Sequence, residues 1–123
     1  MNAELATALI IAAILIAGSA FGLPEALGAH PFWAVKTGAI GSVAGLLAYG
    51  GLRWAGMRSG RMAALGGLTL ILAMVAVTQG KSIFAASYAE NAVAGLVWFF
   101  GWFVVMAALC MTLCALAARV LRR

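Results

Sequence analysis

Four apolar stretches divide the chain: no Asp, Glu, Lys or Arg occurs from Leu5 to Leu23, from Thr37 to Leu52, from Met62 to Gly80 or from Asn91 to Ala118. A membrane span takes about 20 mostly apolar residues. Backbone in hydrocarbon must satisfy its own hydrogen bonds, which for segments of this length leaves the α-helix. The pattern predicts four helices, over residues of about 4–23, 33–54, 61–80 and 91–118. Asn91 is the expected N-cap of the last, because its side chain can accept from an otherwise orphaned backbone N–H. That helix would be about 42 Å long at 1.5 Å per residue, so it must tilt or project from the membrane. The segment from Ser82 to Glu90 is left open; Ile83, Phe84 and Tyr88 would suit a helix lying along the interface.

Composition agrees with this pattern. Hydrophobic residues make up 66% of the chain and charged ones 9%, with a mean hydropathy of +1.10, outside the range of water-soluble domains. The expected fold is all-α: a four-helix transmembrane bundle forming a single integral membrane domain over residues 1–123, with no length left for a soluble catalytic domain. Ala17-Gly18-Ser19-Ala20 resembles a signal-peptidase site. However, Glu4 and the lack of any Lys or Arg before the first stretch oppose a signal n-region, so that stretch is expected to be retained.

Charge sets the expected orientation. Arg53, Arg58 and Arg61 occupy the second connection and Arg119, Arg122 and Arg123 the C-terminal tail, so six of the eight basic residues fall on one side of a four-helix protein. The positive-inside rule places that side in the cytoplasm of a bacterial inner membrane, with both termini cytoplasmic. The connections holding Pro24, Glu25, His30 and Pro31, and then Ser82, Tyr88 and Glu90, face outward, where Lys36 and Lys81 cancel Glu25 and Glu90. The net charge of +5 thus belongs to the inner face, where it orients the chain and attracts anionic head groups. No nucleic acid is expected as a partner, since groove-reading and base-stacking elements are lacking. Trp33 with Phe32 marks the outer end of the second helix and Trp54 its inner end.

Small residues mark where helices can approach. Gly38, Gly41, Gly45 and Ala48 line the second helix, and Gly41 with Gly45 forms a GxxxG pair. Ala8, Ala12, Ala13 and Gly18 offer a similar stripe on the first helix, so the two stripes are expected to pack together; the alternative is a face for other membrane helices, in a homo-oligomer or a larger complex. Trp98, Phe99, Phe100, Trp102 and Phe103 cover more than one face of the last helix. Some are expected to meet lipid and others to pack inward; a stacking site for a quinone or pigment is the alternative.

Catalytic and cofactor chemistry is sparse. Each of Glu4, Glu25 and Glu90 lies at a helix end or in a connection, unlike the small multidrug resistance transporters, which carry a carboxylate inside their first helix. His30 is the single His and sits in a connection, so haem ligation by a His pair is not expected. Cys110 and Cys114 share a face of the last helix and read as two buried thiols rather than a metal site or a disulfide. No cofactor, no metal and no enzymatic activity are expected. The remaining polar group is a candidate outer vestibule of Lys36, Thr78, Gln79 and Lys81, suited to an anion, against the simpler reading that both Lys side chains snorkel to the head groups.

The passage His30-Pro31-Phe32-Trp33-Ala34-Val35-Lys36, followed by a Gly-rich helix and an Arg-rich hinge, resembles over about a quarter of the chain the ATP synthase protein I family, small four-helix accessory proteins of the rotary ATP synthase. The third helix lacks the Glu and Lys that such proteins often carry. The resemblance implies an accessory role. The expected function is that of a non-enzymatic accessory or assembly subunit, in contact with the lipid bilayer and other membrane helices. The alternative is a small homo-oligomeric channel or transporter for a small solute or ion.

Overall fold

A computed structural model describes residues 3–30 and 33–121. Expectations resting on Pro31, Phe32, Arg122 and Arg123 lie outside the described residues. Five helices form: α1 (Ala3–Ala20), α2 (Leu23–Leu27), α3 (Ala34–Trp54), α4 (Ser59–Ala86) and α5 (Ala92–Leu121), with no strand among the described residues. Helices α1, α4 and α5 are each long and apolar enough to cross a membrane. Helix α3, at 21 residues, has the length, but Thr37, Ser42 and five glycines dilute its apolar content. Those small and polar residues lie largely on its buried face.

Helix α5 is the centre of the assembly. It packs most extensively on α4, then on α3, then on α1, while α1 also packs on α3, and α4 barely meets α3. The interior holds Met62 of α4, Tyr49 of α3, and Trp102, Val105, Met106, Cys110, Cys114 and Ala115 of α5.

The first helix ends earlier than its apolar run. Gly22 takes a left-handed φ of 97° and Pro24 stands in the first turn of α2. A side chain at Gly22 would be strained, and Pro24 brings no N–H to continue α1. The short α2 thereby folds back over α1 and α3.

The third long helix, in turn, outruns its prediction from 61–80: α4 continues through Lys81 to Ala86, so most of the segment left open is a continuation of that helix. Contact with α5 carries it on. Gly80 lies close to the Ala94 carbonyl and the Phe84 ring lies against Gly95. The chain then turns through Tyr88 and Ala89, both at left-handed φ (56° and 65°). Asn91 caps α5 as expected, its Oδ1 accepting from the Ala94 N–H at 3.0 Å.

Candidate functional site

The glycine face finds a different partner from the one its sequence implied. Gly38, Gly41 and Gly45 are buried, but Gly41 and Gly45 face α5 rather than α1. A Cβ on Gly41 would stand 2.7 Å from Met106 Cβ and 2.8 Å from the Phe103 carbonyl oxygen; one on Gly45 would stand 2.8 Å from Cys110 Cβ. Gly38 alone meets the first helix, at Ser19, with Pro24 of α2 beside it. Ala48 is exposed and takes no part in this face. On α1, Ala8 and Ala12 are buried and Ala13 is exposed; the Ala8 carbonyl accepts from Cys114 Sγ at 3.9 Å. Cys110 and Cys114 are free thiols.

The four vestibule residues are all exposed. Thr78 donates its hydroxyl to the Met74 carbonyl of its own helix at 2.7 Å. With Gln79, Met74 and Val75 it lines a shallow groove of about 250 Å³. Gln79 also edges a groove of about 540 Å³ between α4 and α5, beside Gly80, Ala94 and Val97. Neither groove includes Lys36 or Lys81. Lys81, about 200° around the helix from Gln79, places its Nζ 5.9 Å from the centroid of the Trp98 ring.

The aromatic residues there fill one another's faces. Trp98 meets Trp33 at 5.3 Å and His30 at 5.6 Å between ring centroids, and Trp33 meets Phe99 at 5.2 Å. The Trp98 indole N–H donates to the Gly28 carbonyl at 3.1 Å, tying α5 to the end of α2. Trp102 is buried and Phe100 is exposed, the mixture of inward and outward rings that their spacing implies.

The most developed polar arrangement lies at the opposite end, where α1 begins and α3 ends. Arg53 Nε donates to Glu4 Oε1 at 2.7 Å and its Nη2 to Oε2 at 3.2 Å, while its Nη1 donates to the Met57 carbonyl at 3.1 Å. The Tyr49 hydroxyl donates to the same Glu4 Oε1. Tyr49 and Arg53 are one helical turn apart, so both reach a carboxylate on the neighbouring helix. Each charge also sits where the backbone favours it, Glu4 in the first turn of α1 and Arg53 in the last turn of α3.

This clasp closes one end of an open groove of about 780 Å³ between α1 and α3. The groove is walled by Leu5, Leu9, Leu46 and Leu47, floored by Gly50 and Gly51, and rimmed by Trp54. The sequence carried one signal of it, a lone acid heading the first stretch and an Arg with a Tyr four residues before it ending the second. The carboxylate is already held by Tyr49 and Arg53. No group of three or more His, Cys, Asp or Glu that could hold a metal occurs among the described residues.

No protein-family model matches the chain, and neither do the curated proteins or the solved structures compared with it.

Proposed function

We propose that this is a multi-pass, non-enzymatic protein of a bacterial inner membrane, an accessory or assembly subunit that acts by packing against other membrane helices. In this reading α1, α3, α4 and α5 form a four-helix transmembrane bundle with both termini in the cytoplasm. The beginning of α1, the end of α3, the beginning of α4 and the end of α5 then share one side with Arg53, Arg58, Arg61 and Arg119, the asymmetry that the positive-inside rule reads as cytoplasmic. At 21 residues α3 is about 31 Å long, enough for the hydrocarbon core.

One observation carries the accessory reading. Helix α4 is covered chiefly by α5, and its uncovered side bears Leu65, Leu68, Leu72, Val75 and Gln79, all exposed. Their spacing alternates three and four residues, the repeat by which one helix seats side chains into another. A carboxamide at the end of such a seam gains from a partner in a medium that offers it none. The glycine face does not serve this role, since α5 already covers Gly41 and Gly45.

A tagged copy drawn from its native membrane in mild detergent tests this. A larger membrane partner in fixed ratio is expected, with Gln79→Leu weakening its retention. A pure homo-oligomer would replace this reading with the channel or transporter alternative and make liposome flux the next assay.

A further inference from the structure

We infer that the groove between α1 and α3 seats one acyl chain of an anionic phospholipid, with its head group at the Arg-rich hinge. The site is independent of the α4 seam and of whatever α4 packs against.

The groove has the same polarity gradient as such a ligand. Its length is apolar, through Leu5, Leu9, Leu46 and Leu47, and its one polar end carries Glu4, Tyr49 and Arg53 with the exposed Trp54 at the rim. Its volume of about 780 Å³ lies within the range of small-molecule pockets, roughly 300–1,000 Å³. Gly50, next to Tyr49 on α3, presents no side chain there, and a Cβ added to it would meet nothing within 4 Å. In the four-span arrangement this end lies at head-group depth, where an indole ring also settles.

Charge selects the head group. Within the clasp Glu4 and Arg53 offset each other, and theirs is the one ion pair among the described residues. Arg58, Arg61 and Arg119 are exposed at the same end of the assembly with no acidic partner among the described residues, leaving an uncompensated positive excess at that end. A phosphodiester with a net negative charge is favoured there over a zwitterionic head group.

The test uses the purified full chain reconstituted in vesicles of mixed phosphatidylcholine and phosphatidylglycerol, then returned to mild detergent for native mass spectrometry. One phosphatidylglycerol per chain is expected to remain bound. Gly50→Leu should abolish that retention by filling the recess, with thermal unfolding showing the fold intact, since the added side chain enters open space. Ile71→Trp, on the exposed side of α4, should leave it unchanged. As a second route, Arg58→Gln with Arg61→Gln should lower the preference for phosphatidylglycerol over phosphatidylcholine about thirtyfold. Equal retention of the two lipids, retention undiminished in Gly50→Leu, or a protein chain crosslinked into the groove through Gly50→Cys would each overturn the inference.

Discussion

Glu4 and Arg53 stand 49 residues apart in sequence and meet in a two-pronged ion pair, with Nε 2.7 Å from Oε1. The pair joins the N-terminal turn of α1 to the C-terminal turn of α3, so it bridges the two helix ends whose backbone dipoles favour those charges. Both side chains are mostly covered, Arg53 at 21% and Glu4 at 27% exposure, and Tyr49 adds a third tie. The consequence is that the Arg-rich hinge is anchored twice, through Glu4 and through the Met57 carbonyl.

The clasp should therefore be measurable as stability. Tyr49→Phe removes a hydrogen bond to a charged acceptor, and Glu4→Gln removes the ion pair; each is expected to cost about 1–2 kcal/mol, between the values for exposed and buried charged groups. Because both act on one carboxylate, the double variant should lose less than the sum. Unfolding by titrated denaturing detergent in micelles reads all three, and strictly additive losses would mean that the three side chains do not act together.

Glycines on one helix should divide into two classes. At Gly45 even Ala meets α5 backbone and Cys110, so Gly45→Ala is expected to destabilise by about 1–3 kcal/mol and Gly45→Leu more. At Gly50 the same replacement enters open space and gains helix propensity, so Gly50→Ala should be neutral or stabilising by up to about 1 kcal/mol. The same unfolding assay compares them. Equal responses at the two positions would mean that α3 does not present this face to α5.

The sequence was legible where one force decides. Long uncharged runs marked the four long helices, and for α3 the ends agree to within one residue because Trp33 and Arg53-Trp54 bound it. It was less legible where tertiary contact extends or diverts an element. Ser82 to Ala86 read locally as an open segment that suits a helix along the interface; the packing of Gly80 and Phe84 on α5 makes it a continuation of α4. GxxxG says that a helix comes close, not which one, and α5 occupies that place because it lies between α3 and α4. Glu4 read as a simple helix-start charge because pairing across 49 residues depends on how α1 and α3 lie side by side. Of the candidate vestibule residues, Gln79 and Lys81, two apart on a helix, point to opposite sides.

The turn between α4 and α5 carries strain opposed by a cap. Asn91→Ala should cost about 1 kcal/mol by leaving the Ala94 N–H without its side-chain acceptor. Ala89→Gly should have the opposite sign, gaining about 1 kcal/mol, since Ala89 holds a φ of 65° that glycine adopts freely. Thermal unfolding in detergent shows both, and loss of stability in Ala89→Gly would mean that the left-handed turn is not part of the native fold.

The buried thiols make the proposed orientation testable without first removing them. Cys110 and Cys114 are covered by α1, α3 and their own helix, so a membrane-impermeant maleimide should leave them unmodified until the protein is unfolded, when both should react. Against that silent background, Ser82→Cys and Arg58→Cys place exposed thiols at opposite ends of α4. In right-side-out spheroplasts the reagent should modify Ser82→Cys at once and Arg58→Cys only after the membrane is opened. The reverse order would put the Arg-rich hinge outside and overturn the cytoplasmic assignment of both termini. Modification of both before opening would mean that α4 does not cross the membrane.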